Sequence, residues 1–165
     1  QGVLAQRRAH AARAAALGAP LIYVNTVGAQ DELIFDGGSF ALGADGALRL
    51  QLPRFAEAVQ VCALDSLTAA PPPPPTDLPL EAELLQALSL GVRDFCRKNG
   101  VRRAFLGLSG GIDSALVLCI AVRALGAGAV TALMLPSRFN DPRSTQEAQA
   151  LCKALGVACE EIAID

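Results

Sequence analysis

Apolar and polar positions follow two different rhythms along this chain, and a run of prolines separates them. In residues 1–19, Val3, Leu4, Ala11, Ala14, Ala15 and Leu17 fall at spacings that predict a helix packed on the segment after it, with Gly18 as its stop. Short apolar runs then predict strands. Leu21-Ile22-Tyr23-Val24-Asn25 comes after Pro20, and Leu33-Ile34-Phe35 is closed by Asp36-Gly37-Gly38. Residues 39–42 and 47–52 flank Gly43-Ala44-Asp45-Gly46, and Asp-Gly between apolar stretches predicts a hairpin. One helix and a few strands lack the bulk of an independent core.

Beyond the prolines the rhythm becomes alternating strand and helix. Asp77 caps a predicted helix with Pro79 in its first turn. Leu80, Leu84, Leu85, Leu88, Val92 and Phe95 recur at helical spacing, and Gly100 ends it. Residues 103–108 read as a strand, 114–125 as a helix and 129–135 as a strand. Ser144 with Glu147 forms a capping box for a helix ending at Gly156, and residues 157–164 read as a third strand. That order predicts an α/β fold with a parallel sheet and right-handed crossovers. The prolines, residues 71–75, predict an extended spacer of roughly 15 Å. An SH3-type ligand is the other use of such a run, but no basic residue flanks it. The organisation expected is therefore 1–65, a linker over 66–79, and 80–165. The chain opens on Gln1 and its second sheet stops at three strands, so it is expected to be a piece of a longer protein.

Composition narrows the partners. Fourteen Lys+Arg against 16 Asp+Glu give a net charge of −2, which disfavours a nucleic-acid surface as the partner. Hydrophobic residues at 52% and charged ones at 18% exclude general disorder, and no apolar run reaches the ~18 residues of a membrane span. Five scattered cysteines without Cys-x-x-Cys, and the single His10, argue against structural zinc and for reduced thiols in a cytoplasmic protein. Arg7, Arg8 and Arg13 read as a solvated helix face, His10 as exposed or lightly packed. Asp31 and Glu32 read as a loop pair or as part of a pocket.

The chemistry sits in Gly107-Leu108-Ser109-Gly110-Gly111-Ile112-Asp113-Ser114, between the first strand of the second half and its helix. Ligands of open parallel sheets bind at that end of the strands. Gly110 and Gly111 allow a close backbone approach, the start of the helix offers free N–H groups to an anion, and the Ser109 and Ser114 hydroxyls add donors. Asp113 beside phosphates requires a bridging cation, which points to Mg²⁺. No lysine comes after the glycines, so a P-loop kinase is disfavoured, and Gly-x-Gly-x-x-Gly is absent. The bland alternative is a strand–helix turn in which Ser109 and Asp113 merely cap.

Ser109-Gly110-Gly111-Ile112-Asp113-Ser114 resembles the Ser-Gly-Gly-x-Asp-Ser pyrophosphate loop of the N-type ATP pyrophosphatases. With Met134-Leu135-Pro136-Ser137-Arg138-Phe139 after the second strand, it is similar to the NAD synthetases within that group. The stretch from Tyr23-Val24-Asn25-Thr26-Val27-Gly28 to Phe35-Asp36-Gly37-Gly38-Ser39, with Leu52-Pro53-Arg54-Phe55, resembles the C-terminal part of a nitrilase-type glutaminase. That pairing is the layout of the glutamine-dependent NAD synthetases.

The resemblance implies a fold in two parts. The first is the C-terminal piece of a nitrilase-type α-β-β-α sandwich, and the second is the first βαβαβ of an adenine-nucleotide alpha-hydrolase-like sheet. It implies ATP on Gly107, Leu108, Ser109, Gly110, Gly111, Ile112, Asp113 and Ser114, with Arg138 reaching phosphate or substrate, adenine near residues 133–135, and Mg²⁺ on Asp113. It implies ATP-dependent amidation of deamido-NAD with ammonia from glutamine, through an adenylated intermediate, in a homo-oligomer. The Glu, Lys and Cys of the glutaminase have no matching positions here, so the chain alone is expected to be inactive. Another amide ligase of the same group and a nucleotide-binding module without catalysis remain the alternatives.

Overall fold

The computed structural model describes residues 2–68, 73, 78–136 and 141–164. The Asp77 cap, Arg138 and all of the proline run except Pro73 lie outside them. The chain divides into two compact units, Gln1–Gly28 with Glu32–Leu80, and Ala29–Asp31 with Glu81–Asp165.

In the first unit, helix α1 (Gly2–Leu17) ends at Gly18, whose φ of +59° is readily tolerated only without a Cβ. Strands β1 (Leu21–Tyr23), β4 (Phe40–Leu42) and β5 (Leu48–Gln51) form an antiparallel sheet in the order β1-β4-β5. The hairpin predicted around Gly43-Ala44-Asp45-Gly46 joins β4 to β5, with Gly43 N donating to Ala47 O at 2.8 Å. The core is small, with Ala14 of α1 packed against Phe40 and Leu42. His10 lies half-buried with its ring 5.4 Å from that of Tyr23.

Strand β2 (Val27–Gln30) pairs with β3 (Leu33–Asp36), and the sequence reading missed β2. Val27-Gly28-Ala29-Gln30 has too little apolar alternation to register as a strand, and its pairing depends on the tight turn at Asp31, where φ is +51°. Asp31 and Glu32 are exposed at that turn. Asp36 then anchors a polar cluster: Arg54 Nε donates to its Oδ2 at 2.8 Å and Asn25 Nδ2 to its Oδ1 at 3.0 Å.

The second unit has the predicted alternation. Helix α2 (Leu80–Lys98) precedes β6 (Ala104–Gly107), α3 (Ile112–Leu125), β7 (Val130–Met134), α4 (Pro142–Leu155) and β8 (Ala158–Glu161). The strands pair in parallel in the order β6-β7-β8. Alternate residues of β7, Val130, Ala132 and Met134, are buried with Leu118 and Ala121 of α3 and with Ala148 and Cys152 of α4. Both helices therefore cover one face of the sheet, while Phe105 of β6 is 61% exposed. The apolar stripe of α2 identifies a helix but not a buried face, since Leu84, Leu88 and Phe95 are exposed and Ser89, Leu90, Asp94 and Cys96 are buried instead. Burial pushes the Cys152 thiol up to about 12, helped by a hydrogen bond with Cys159, so it is inert at neutral pH. Among the described residues no helix is long and apolar enough to cross a membrane.

One helix start differs from expectation. Asp141, not Ser144, is the N-cap of α4: its Oδ1 accepts from Arg143 N at 2.9 Å, and Pro142 opens the helix. An Asp directly before a Pro sets the start two to three residues ahead of the Ser144–Glu147 pair, because proline's fixed φ suits a first turn. Helix α3 likewise begins at Ile112 rather than at Ser114.

Asp94 of α2 is buried and accepts from Ala29 N at 2.9 Å, with Arg97 and Lys98 beside it. The Ala29 N–H, and then the two cations, hold its carboxyl below the usual carboxylate range. A depressed pKa stabilises above the unfolded value and is lost as pH falls through the folded one. As pH falls below the usual carboxylate range, the protection factor of the Ala29 amide, its exchange rate relative to the intrinsic rate at the same pH, should therefore fall in the parent protein. Asp94→Asn should show fast exchange already at pH 6, and equal exchange in both would contradict this role.

Candidate nucleotide-binding site

β6 ends at Gly107 and its chain turns through residues 108–111 into α3. Leu108 is the only side chain of this loop driven into the core, 4% exposed, and its N–H donates to Leu133 O of β7 at 2.8 Å. That anchor leaves Ser109, Gly110 and Gly111 standing at the carboxyl end of the sheet. Ser109 and Ser114 close the turn on itself. Their hydroxyls are 3.1 Å apart, Ser109 N donates to Ser114 Oγ at 3.2 Å, and Ser114 Oγ donates to Gly111 O at 3.0 Å. Gly111 N approaches Ser109 Oγ at 3.3 Å.

Gly111 is the N-cap of α3, and no side chain caps that helix. Ser109 Oγ accepts from the N–H of Gly111, as the bland reading of a turn expects, and the two serines also bond each other and the loop backbone. A 14-residue helix thus presents uncapped first-turn N–H groups, with the positive end of its dipole, beside two glycines. Such a helix start can accept an anion. The Leu108 side chain is buried, so only its backbone can face a ligand, whereas the Ile112 side chain is 81% exposed.

Asp113 lies in the first turn of α3 with its side chain exposed. Among the described residues no three metal-ligating side chains converge. A hard cation at Asp113 would need oxygens from a ligand, the usual arrangement for Mg²⁺ held by one or two carboxylates and by phosphates. The residues present fit that arrangement.

Beside the loop lies a cavity of about 230 Å³ lined by Gly107, Leu108 and Ser109, by residues 133–136 at the carboxyl end of β7 and just beyond it, and by Ser144 and Thr145 of α4. Its position brings together the two segments singled out from sequence, the loop and residues 133–135. Arg138 lies outside the described residues. Ser144 and Thr145 were missed as lining residues, because Ser144 was assigned to capping. The available signal was topological: in a parallel sheet the segment leaving β7 returns at the same edge as the loop leaving β6.

Known proteins match the chain over most of its length. The family described as NAD synthase matches residues 84–165. The glutamine-dependent NAD(+) synthetase of Rhodobacter capsulatus is 43% identical over 97% of this chain and 30% of its own length. That of Synechocystis is 46% identical over 88% of this chain and 26% of its own length. The structure of the glutamine-dependent NAD+ synthetase from Acinetobacter baumannii, in complex with ADP, superposes with a TM-score of 0.89 at 36% identity, covering 98% of this chain and 31% of that one. The chain thus spans less than a third of the length of the relatives it matches. Residues 84–165 match the NAD synthase family, and the chain aligns along nearly its whole length with glutamine-dependent NAD(+) synthetases.

Proposed function

We propose that this chain is the part of a glutamine-dependent NAD synthetase that joins a nitrilase-type glutaminase domain to an ATP-pyrophosphatase domain. The reaction is the ATP-dependent amidation of deamido-NAD with ammonia derived from glutamine, through an adenylated carboxylate, with release of AMP and pyrophosphate. The observation that carries this reading is the uncapped start of α3 beside Ser109, Gly110 and Gly111 at the mouth of a cavity. The A. baumannii relative that superposes over nearly the whole chain holds ADP, which supports an adenine nucleotide as the ligand here.

Each residue then has a part. The α3 N–H groups and the Ser109 and Ser114 hydroxyls hold phosphate oxygens, trading the present serine–serine contact for the ligand. Residues 133–135 take the adenine side of the cavity, and Arg138 reaches phosphate or substrate. Asp113 would hold Mg²⁺, whose role when bound is to neutralise charge on the departing pyrophosphate. The protein contributes mostly positioning and fixed dipoles, because displacement at phosphorus needs little covalent help. Residues 1–65 are read as the end of the α-β-β-α sandwich, with α1 on the β1-β4-β5 sheet, 66–79 as linker and 80–165 as the start of the synthetase domain. The assembled protein is read as a cytoplasmic homo-oligomer.

Titration with ADP in the presence of Mg²⁺ tests the site. Saturable binding that weakens when Ser109 and Ser114 are both replaced by Ala is expected, and absence of binding to the parent protein would contradict the reading. The glutaminase Glu, Lys and Cys have no counterpart among these 165 residues. This polypeptide on its own should therefore release no ammonia from glutamine in a coupled ammonia assay, and release above background would refute the assignment of residues 1–65.

A further inference from the structure

The loop and the first turn of α4 meet at a contact that the proposed chemistry does not use. Gly110 has a φ of +79°, and a Cβ placed on it would stand 2.4 Å from Ser144 O, 2.7 Å from Ser144 Cα and 2.8 Å from Ser144 C. These are main-chain atoms, so no change of side-chain rotamer relieves the clash. Gly111 is different. Its φ of −82° and ψ of 156° suit any residue, and a Cβ there would touch only Ser109 Oγ, at 3.4 Å. Of Gly110 and Gly111, only Gly110 is required by the protein's own packing.

The other side of the contact is fixed. Ser144 N donates to Asp141 O at 3.0 Å, the Asp141 carboxylate caps the turn through Arg143 N, and Ala148 and Cys152 seat the same helix in the core. Ser144 and Thr145 line the cavity across from Gly107, Leu108 and Ser109. Gly110 thus bears on the main chain of a residue that lines that cavity.

We infer that Ser144 is a positioning residue for the nucleotide site: its main chain bears on Gly110 and fixes the 107–114 loop at its working distance from α4. The inference rests on the nucleotide reading above. A Cβ at Gly110 must move one side by about 1 Å to restore van der Waals contact, and a displacement of about 1 Å at a reacting centre can cost on the order of 100-fold in rate. The coupling runs both ways, so loosening the start of α4 disturbs the loop from the far side.

The test uses the protein encoded by the whole reading frame, with hydrogen–deuterium exchange over residues 141–150 and 107–114 and ADP as the probe ligand. Without nucleotide, Gly110→Ala should speed exchange over 141–150 at least about fivefold and weaken ADP binding at least about tenfold. Gly111→Ala should leave 141–150 at the parent rate. Unchanged exchange over 141–150 in Gly110→Ala overturns the inference. Should that variant not fold, Asp141→Ala decides, since it removes a surface cap outside the cavity. It should speed exchange over 107–114 and raise the KM for ATP about fivefold with kcat within twofold, and parent values for exchange and KM overturn the inference. A parent protein that binds no ADP overturns the nucleotide reading instead, and the exchange comparison still decides the coupling.

Discussion

Asp113→Asn should lower NAD formation by the parent protein about 10²–10³-fold while weakening ADP binding less than tenfold. The substitution keeps the size and the helical position of the side chain, so α3 and the loop stay in place. What it removes is the carboxylate charge that lets a divalent cation sit among phosphate oxygens. Withdrawing one electrostatic contributor to a developing negative charge typically costs on that scale in rate. Binding suffers less because the donors proposed to hold the phosphates, the α3 N–H groups and the two serines, are untouched. Initial rates with saturating ATP, deamido-NAD and ammonia across a Mg²⁺ series check this. A variant with parental rates and parental Mg²⁺ dependence would remove Asp113 from the site.

Leu118→Ala should destabilise the second unit by about 3–4 kcal/mol, within the usual span for a leucine truncated in a rigid core. Leu118 is fully buried, on the face of α3 that meets Val130 and Ala132 of β7. Those strand residues are held from both sides by parallel pairing, so the surroundings cannot collapse into the space. Val117, one position along the same helix, is 53% exposed, and Val117→Ala should cost under about 1 kcal/mol. Urea unfolding of the parent protein and both variants, monitored by a probe in the second unit, gives the comparison. Equal midpoints for the two variants would show that α3 does not pack on β7 through Leu118.

Much of this was legible in sequence because local and tertiary demands agree. Asp45-Gly46 makes a hairpin turn whatever surrounds it, and the alternation of Val130, Ala132 and Met134 records a strand with one buried face. The Ser109–Ser114 motif could be placed on a strand–helix junction because glycine and serine have few other reasons to stand together there. What was missed depends on partners distant in sequence. β2 carries no apolar rhythm and exists through its pairing with β3. The stripe Leu84, Leu88 and Phe95 has helical spacing, but which face of α2 is buried depends on Ser89, Leu90, Asp94 and Cys96, which no hydrophobic pattern marks. Ser144 has the chemistry of a cap, and only the fold shows Asp141 capping α4 while Ser144 stands over Gly110.

A loop of residues 107–114 that serves ATP-dependent amidation must work with ammonia supplied directly and with ammonia drawn from glutamine. The most direct measurement records NAD and AMP formed by the protein of the whole reading frame from ATP, Mg²⁺ and deamido-NAD, first with ammonia and then with glutamine. NAD and AMP should form in equal amounts with either nitrogen donor. NAD from neither donor would contradict it.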